Sequence, residues 1–434
     1  MLEASHVRED RSPVGTRLSL IAVFLLFRVA LDLGYVWFVA PEFRHLGFGL
    51  SVDAFRLLES FILTLMLAGI CPVVLKRPSE FLVVVLSCAI ALPMLSLYAW
   101  GGGARVYLYM VLSAFLILRS VTLLPRLRMP VLRQGRAFAL WILWASLVLI
   151  AIIVIMRGGV QHFSLSIGDV YDYRSTSNEL VFFGGAAYLK FWVARVSIPF
   201  LLALAIWRRK WPSTVLLLIA AVLFFGVTAH KAFLLYPALV VASYVLCRLR
   251  RPMHWLVGGL ALAVLGSLVL SALGYSRVAD LLIRRSLFTT AKNHYLYYDF
   301  FRANGYLLFS SSVLKNTIAY PYEYQIPVLM SVVRYGHALG NVNAGFLATG
   351  YMNYGYLGML LYTAILAPLL NLGDSMVRPG GLPVSVVAAM VIASYWSLTS
   401  ADLMTALVTH GILLAMVILW LLSYGKPRSC GIED

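Results

Sequence analysis

Apolar runs close to twenty residues long recur along almost the whole chain, and no other feature limits its fold so strongly. The hydrocarbon core of a bilayer needs about 20 helical residues to cross. Of the 434 residues, 61% are hydrophobic and only 12% are charged, which is about half the charged fraction of a soluble domain. The sequence therefore predicts an all-α polytopic membrane protein and excludes a soluble one.

About twelve transmembrane helices are predicted within a single integral membrane domain, residues 1–434. The first apolar run is too long for a signal peptide and lacks a small-residue cleavage pattern, so we interpret it as a retained span. It carries Arg28 and Asp32, which are predicted to neutralise each other on one helical face. The predicted spans are 18–40, 55–75, 79–100, 104–122, 137–156, 183–207, 213–229, 232–247, 255–275, 356–374, 383–401 and 403–422.

The basic residues predict the orientation of the chain. With the N-terminus in the cytoplasm, clusters such as 126–136 and 208–210 fall on the cytoplasmic side, in agreement with the positive-inside rule. The opposite orientation would place these clusters outside. Both termini are therefore predicted to be cytoplasmic. Topology accounts for most of the net charge of +17, and no nucleic-acid partner is predicted.

Two outer loops, 157–182 and 276–355, are longer than connectors need to be, and loops of this length are usually functional or disordered. Both are rich in aromatic and aliphatic residues, so we predict that they fold against the outer face of the bundle. The second loop is basic, which predicts an anionic ligand because guanidinium groups bind phosphate oxygens bidentately. The alternative is that long loops translocate whatever their charge.

Residues 280–302 carry most of the candidate site residues. The apolar spacing of 280–290 predicts an interfacial helix with Arg284 and Arg285 at the headgroups, although a pair of arginines reaching lipid phosphates would look the same. Lys292, His294, Asp299 and Arg302 then follow among five aromatic residues, whose rings could stack on sugars. An aromatic belt at the membrane surface would explain the rings but not the ionisable residues.

Three further segments supply candidates. The glycine-rich stretch 336–358 contains His337 and Asn343 and directly follows Arg334. It predicts a backbone that breaks and re-enters a span, which is tolerated only where it is buried or lines a cavity; a simple connector is the alternative. Arg195 lies inside a predicted span, where an ionisable residue indicates function. Arg174 lies in the first outer loop.

Two stretches carry a resemblance to a known family. The Arg-rich segment 284–288 with 297–301 (YYDFF), and the run 343–358 entering a late span, resemble the oligosaccharide repeat-unit polymerases, or O-antigen polymerases, of bacterial surface polysaccharide assembly. Some members carry an Arg-x10-Gly pattern in each of two outer loops; Arg174 to Gly185 and Arg334 to Gly345 fit that spacing. The resemblance implies a large helical glycosyltransferase fold of the GT-C type in the bacterial inner membrane.

The resemblance also implies the reaction. A hydroxyl of one lipid-linked repeat attacks the anomeric carbon of a glycan on undecaprenyl pyrophosphate, and cations must hold the pyrophosphate as it leaves. The predicted pyrophosphate and substrate contacts are Arg284, Arg285 and Arg302, then Arg174, Arg195 and Arg334, with Tyr298 and Asn343. The predicted catalytic base is one of His294, Asp299 and His337, and the sequence does not choose among them.

No cofactor is predicted, and the scarcity of outer carboxylates argues against a metal site with oxygen ligands. The four cysteines form no CxxC pair and supply no metal site. The predicted partners are the lipid-linked oligosaccharide and membrane lipids, and a chain-length regulator is a further candidate. An O-antigen ligase, or another transferase using lipid-linked glycans, is the nearest alternative function. A flippase of the same lipid is the alternative from another class.

Overall fold

The long apolar runs fold into a bundle of α-helices. The computed structural model describes residues 13–127, 129–130, 132, 134–161, 163–165, 180–312, 314–378 and 381–423. Within these residues helices are the only regular secondary structure. The helices of ten residues or more are α1 (Val14–Glu42), α2 (Ala54–Ile70), α3 (Pro78–Gly101), α4 (Arg105–Val121), α5 (Gly135–Met156), α6 (Gly185–Trp207), α7 (Trp211–Thr228), α8 (Lys231–Leu246), α9 (Pro252–Ala272), α10 (276–304), α11 (Ile326–Tyr335), α12 (Phe346–Ser375), α13 (Val384–Thr399) and α14 (Leu403–Leu422).

The predicted multi-pass, all-helical class is confirmed. Eight of the described helices are long and apolar enough to cross a membrane, namely α1, α3, α5, α6, α7, α9, α12 and α14. The other four predicted spans fall on the shorter helices α2, α4, α8 and α13. The count of twelve and the glycosyltransferase architecture stay predictions.

Helix α3 lies at the centre of the bundle. It packs against α1, α2, α12 and α13, and 94% of its most apolar window is buried. Helix α1 also packs along α9, while α12 packs against α4 and α10. One end of α3, at Trp100, is joined to the loop after α1 by a 2.7 Å hydrogen bond from the backbone N–H of Ser51. This end of the bundle carries the candidate site.

The charges inside α1 are paired, as the sequence predicted. Arg28 is completely buried and forms an ion pair with Asp32 one turn later. Ser60 of α2 accepts a 2.8 Å hydrogen bond from Arg28, and Ser96 of α3 donates a hydrogen bond to Asp32. An unpaired charge at this depth would be costly, and this network avoids that cost. It also ties α1, α2 and α3 together.

Helix α12 breaks where the glycine-rich sequence predicted irregular backbone. Tyr354 and Gly355 leave helical geometry, and Gly355 has φ of +60°, a conformation open mainly to glycine. The chain turns sharply here, so that the backbones of Gly350 and Gly358 touch: a Cβ on Gly350 would lie 2.9 Å from the carbonyl oxygen of Gly358. The two arms of α12, 346–353 and 356–375, therefore form a tight helical hairpin.

The second predicted outer loop is largely helical. Segment 276–355 contains α10, α11 and the first arm of α12, and α10 includes a π-helical stretch at Asp280–Phe288. The sequence predicted helical spacing only for 280–290. Much of the first predicted loop, 157–182, lies outside the described residues, and so does Arg174.

Candidate functional site

Helix α10 carries most of the predicted site residues and spreads them over different faces. Successive residues of a helix are about 100° apart, so neighbours in sequence point in different directions. Lys292 faces the loop after α1, Asn293 and Tyr297 face the segment before α12, and Tyr298 faces α4 and α12. Three regions are thus built around one helix.

The first region is a cation cluster formed by Arg284, Arg285, Lys292 and Arg334. Lys292 donates a hydrogen bond to the backbone carbonyl of Gly47, and its ammonium lies 4.7 Å from the centre of the Phe48 ring. The guanidinium of Arg334 lies 5.6 Å from the same ring centre. Aromatic faces attract cations, so Phe48 helps to gather two positive charges.

Among the described residues, the charges of this cluster are not balanced. Arg284 and Arg285 share the carboxylate of Asp280, at 3.1 Å for Arg285. Lys292 and Arg334 form no ion pair with any described carboxylate. Burial, assisted by Arg334, lowers the pKa of Lys292 to about 8. Burial and nearby Arg284 lower the pKa of Arg334, so the cluster would gain from a bound anion.

The second region is a polar cavity of about 600 Å³. Its walls come from α10, the loop after α10, α11, the first arm of α12 and the junction between α13 and α14. Ten of the eighteen described lining residues carry a hydroxyl or an amide group, which suits a ligand rich in hydroxyls. The lining includes Tyr297, Ser310, Ser311, Ser312, Lys315, Tyr320, Gln325, Ile326, Asn343, Thr349, Ser400, Asp402, Thr405 and His410.

Asparagine contacts connect the cluster to the cavity. The side-chain amide of Asn293 donates a 2.6 Å hydrogen bond to the carbonyl oxygen of Asn343, which lines the cavity. Arg334 donates a 2.6 Å hydrogen bond to the side-chain oxygen of Asn293. Helix α11 also runs from the cavity to the cation cluster. Ile326 lines the cavity, and Arg334 of the cluster lies eight residues later, about 12 Å along the helix axis.

The third region is a tyrosine cluster around Tyr298. The Tyr298 ring lies 4.8 Å from that of Tyr107 and 4.9 Å from that of Tyr351, measured between centroids. Its hydroxyl is 3.4 Å from Arg302 and 3.3 Å from the hydroxyl of Tyr356. Asp299 and Arg302 are exposed beside this cluster and do not line the cavity. Neighbouring groups still desolvate part of the Asp299 carboxylate, which raises its pKa, and Arg302 opposes that rise.

The two predicted catalytic histidines lie apart from the cavity. His294 is fully buried, its Nδ1 is 3.2 Å from the Tyr107 hydroxyl, and burial lowers its pKa to about 3. It is therefore a neutral core residue at ordinary pH. His337 is exposed and stacks on Tyr335 with 5.9 Å between ring centroids. Neither histidine lines the cavity, and their catalytic role stays a prediction without geometric support.

Arg195 is buried behind the cavity wall in a π-helical turn of α6, Val193–Ser197. Its Nε donates a 2.9 Å hydrogen bond to the Tyr236 hydroxyl, while its Nη1 has no hydrogen-bond partner among the described residues. The ring of Phe191 contacts both Arg195 and His410, which lines the cavity. π-helical turns are frequent at functional sites, so Arg195 remains a candidate.

Three residues of the cavity wall were not among the predicted site residues: Lys315, Asp402 and His410, which are its charged residues and its histidine in the described part of the chain. A signal for two of them was present. Asp402 lies between two apolar spans and His410 inside the second, and ionisable residues at such depth indicate function. No group of three potential metal ligands comes together among the described residues. The prediction of metal independence is untested.

Comparison of the chain with protein-family models, with characterised proteins and with solved structures gives no match. The resemblance noted in the sequence therefore has no independent support from relatives. Three features of the molecule bear on its function: the cation cluster, the polar cavity and the membrane-spanning bundle that holds them.

Proposed function

We propose that this protein is a polymerase of lipid-linked oligosaccharides, which joins repeat units carried on undecaprenyl pyrophosphate into O-antigen or a related surface polysaccharide. The observation that carries the proposal is the unbalanced cation cluster next to a polar cavity. The hydrocarbon tail of such a substrate needs a membrane domain, its pyrophosphate needs cations, and its sugars need a cavity that binds hydroxyls. The protein combines apolar helices, the cation cluster and the polar cavity.

The reaction can be written on these parts. An acceptor hydroxyl oxygen forms a bond to the anomeric carbon of the donor, the bond from that carbon to the phosphate oxygen breaks, and the lipid pyrophosphate leaves with the electron pair. Negative charge grows on the pyrophosphate during this step, and fixed cations stabilise charge that develops in the transition state. In the proposal Arg285, Lys292 and Arg334 supply those cations, and the cavity holds sugars.

The end of the bundle opposite to the cavity, at the start of α3, favours an enzyme over a flippase. There, Asp374 of α12 accepts hydrogen bonds from the backbone N–H and the hydroxyl of Ser79, at 3.0 and 2.6 Å. Arg119 and Glu80 form an ion pair at 3.5 Å close by. A transport pathway would have to open this polar seal, whereas glycosyl transfer needs access from one end only.

Turnover of a defined substrate tests the proposal. Purified protein would be incubated with a single synthetic repeat on polyprenyl pyrophosphate, and the products resolved by size. We expect a ladder of multiples. In Arg285→Gln, loss of one charge-assisted contact worth about 1.5–3 kcal/mol should lower kcat/KM by about 10- to 100-fold. Arg277→Gln, an exposed arginine earlier on the same helix, is the matched control and should leave the ladder intact.

The other outcomes separate the alternatives. A single transfer to an acceptor that lacks lipid pyrophosphate, with no ladder, would identify a ligase. Movement of the lipid across a vesicle bilayer without any new glycosidic bond would identify a flippase and overturn the proposal.

A further inference from the structure

Asp402 is the one carboxylate that lines the polar cavity within the described residues. It lies where α13 ends and α14 begins, next to Ser400 and Thr405 on the same wall. No described Arg or Lys lies within ion-pair distance of it. A carboxylate with no ion-pair partner among the described residues, in a cavity rich in hydroxyl groups, is placed to accept a proton from a bound hydroxyl.

Hydrogen bonds fix the orientation of this carboxylate. The Tyr362 hydroxyl donates a 2.7 Å hydrogen bond to Oδ1, and the backbone N–H of Met404 donates one of 2.9 Å to Oδ2. The side-chain amide of Asn353 in turn donates a 3.1 Å hydrogen bond to the Tyr362 hydroxyl. Each carboxylate oxygen can accept two hydrogen bonds. Among the described residues Oδ1 accepts one, from Tyr362, so it keeps a second acceptor position while the group is held in place.

We propose that Asp402 is the general base that accepts the proton of the acceptor hydroxyl, and that the polar cavity is the acceptor-sugar site. This inference rests on the proposed polymerase function. As the hydroxyl oxygen bonds to the anomeric carbon, its proton passes to Oδ1 of Asp402, and the pyrophosphate leaves with the electrons of the broken bond. The carboxylic acid formed returns its proton to water after the product leaves.

The geometry favours Asp402 over the bases that the sequence suggested. A general base must lie within hydrogen-bond reach of the proton that it removes. His294 is sealed in the core, His337 stacks on Tyr335 away from the cavity, and Asp299 lies beside the tyrosine cluster. His410 shares the cavity wall and is the one rival that the experiment has to separate.

Asp402 also has a structural role, and its loss in a variant could lower activity as the loss of a catalytic base would. Its Oδ2 caps the first segment of α14, Leu403–Leu407, by accepting from the backbone N–H groups of Met404 and Thr405. Asparagine and serine cap helices about as well as aspartate. Asp402→Asn and Asp402→Ser therefore keep the cap and remove the base, which separates the two roles.

The test compares these variants with a capping aspartate elsewhere. Asp53 caps α2 through hydrogen bonds from the backbone of Phe55 and Arg56 and lies outside the cavity. With the synthetic lipid-linked repeat as substrate, Asp402→Asn and Asp402→Ser should lower kcat by about 10²–10⁴-fold with thermal unfolding unchanged. Asp53→Asn should keep wild-type kcat, and inhibition by polyprenyl pyrophosphate should be the same in all variants.

Four results would overturn the inference. Both Asp402 variants could keep kcat within threefold of wild type, or lose their fold, which would assign Asp402 to the cap alone. They could lose inhibition by polyprenyl pyrophosphate together with kcat, which would make the effect one of binding. His410→Gln could abolish turnover while Asp402→Asn does not. In each case a wild-type ladder leaves the polymerase proposal standing, whereas absence of that ladder contradicts the polymerase itself.

Discussion

At the scale of single residues, the surroundings of Lys292 control its charge. It lies in the cation cluster, bonded to the carbonyl of Gly47 and close to Arg334, and its pKa is lowered to about 8. A lysine with this pKa is charged below pH 8 and increasingly neutral above it. Its attraction for pyrophosphate should therefore fall within a pH range where arginine keeps its charge.

This gives a prediction for the pH dependence of turnover. For the wild type, kcat/KM, which reports groups of the free enzyme, should fall as the pH rises through about 8. In Lys292→Arg the same quantity should stay level to pH 9.5. The measurement is kcat/KM for the lipid-linked donor from pH 6.5 to 9.5 in both proteins. If the pH profiles of kcat/KM were parallel in the two proteins, Lys292 would not be a pyrophosphate contact.

The sequence could predict that cations gather near 280–335 but not which polar residues of α10 would be buried. His294 and Lys292 are two residues apart, yet the histidine is completely buried while the ammonium reaches the cluster. Tyrosines occur on several faces of this helix, so hydrophobic periodicity gives no single buried side. Packing against α4 and α12 decides the question, and one sequence does not contain that packing.

At the scale of elements, the broken helix α12 shapes the cavity. Its first arm supplies Thr349 and Met352 to the cavity wall, and its second arm supplies Tyr362, which holds Asp402. The contact between Gly350 and Gly358 sets the distance between the arms. The sequence predicted the break from the density of glycines, but it did not predict that 276–355 would be largely helical, because π-helical and kinked stretches obscure the regular spacing.

Substitution at the contact between the arms should therefore damage both stability and activity. The Cβ of Gly358→Ala would overlap the backbone carbonyl of Gly350, which cannot rotate away. We expect a loss of about 1–3 kcal/mol of stability, typical of overpacking, together with reduced turnover. Gly373→Ala is the control on the same helix, since its nearest neighbour would be 3.8 Å away.

Thermal unfolding in detergent and the product ladder would be measured for both glycine variants. A Gly358→Ala protein as stable and active as Gly373→Ala would show that the arms separate without consequence. The tight hairpin would then have no part in holding the cavity.

At the scale of the whole molecule, the two ends of the bundle differ in character. The cavity and the cation cluster lie at the end of α3 near Trp100. At the opposite end Arg77, Arg126 and Arg378 donate hydrogen bonds to the backbone carbonyls of Leu124, Val377 and Met129. These arginines belong to the basic segments from which the sequence predicted the cytoplasmic side.

Accessibility to a membrane-impermeant maleimide tests this orientation. In a protein lacking its native cysteines, Ser311→Cys on the cavity wall should react when the reagent is added outside intact cells. Leu127→Cys, exposed at the opposite end, should react only after the membrane is permeabilised. The reverse pattern would place the cavity in the cytoplasm, where a periplasmic polymerase could not work.

Helix α11 has a consequence for the lengths of the chains that such an enzyme would make. It holds the acceptor cavity and Arg334 about 12 Å apart, so only the donor sugars next to the pyrophosphate can lie near the point of attack. These reducing-end sugars are identical whether the donor carries one repeat or fifty. The described site therefore contacts the same part of the donor at every chain length and does not sense that length. Each round should add a repeat with the same chance, and chain lengths should follow a smoothly decaying distribution unless a separate component ends the reaction.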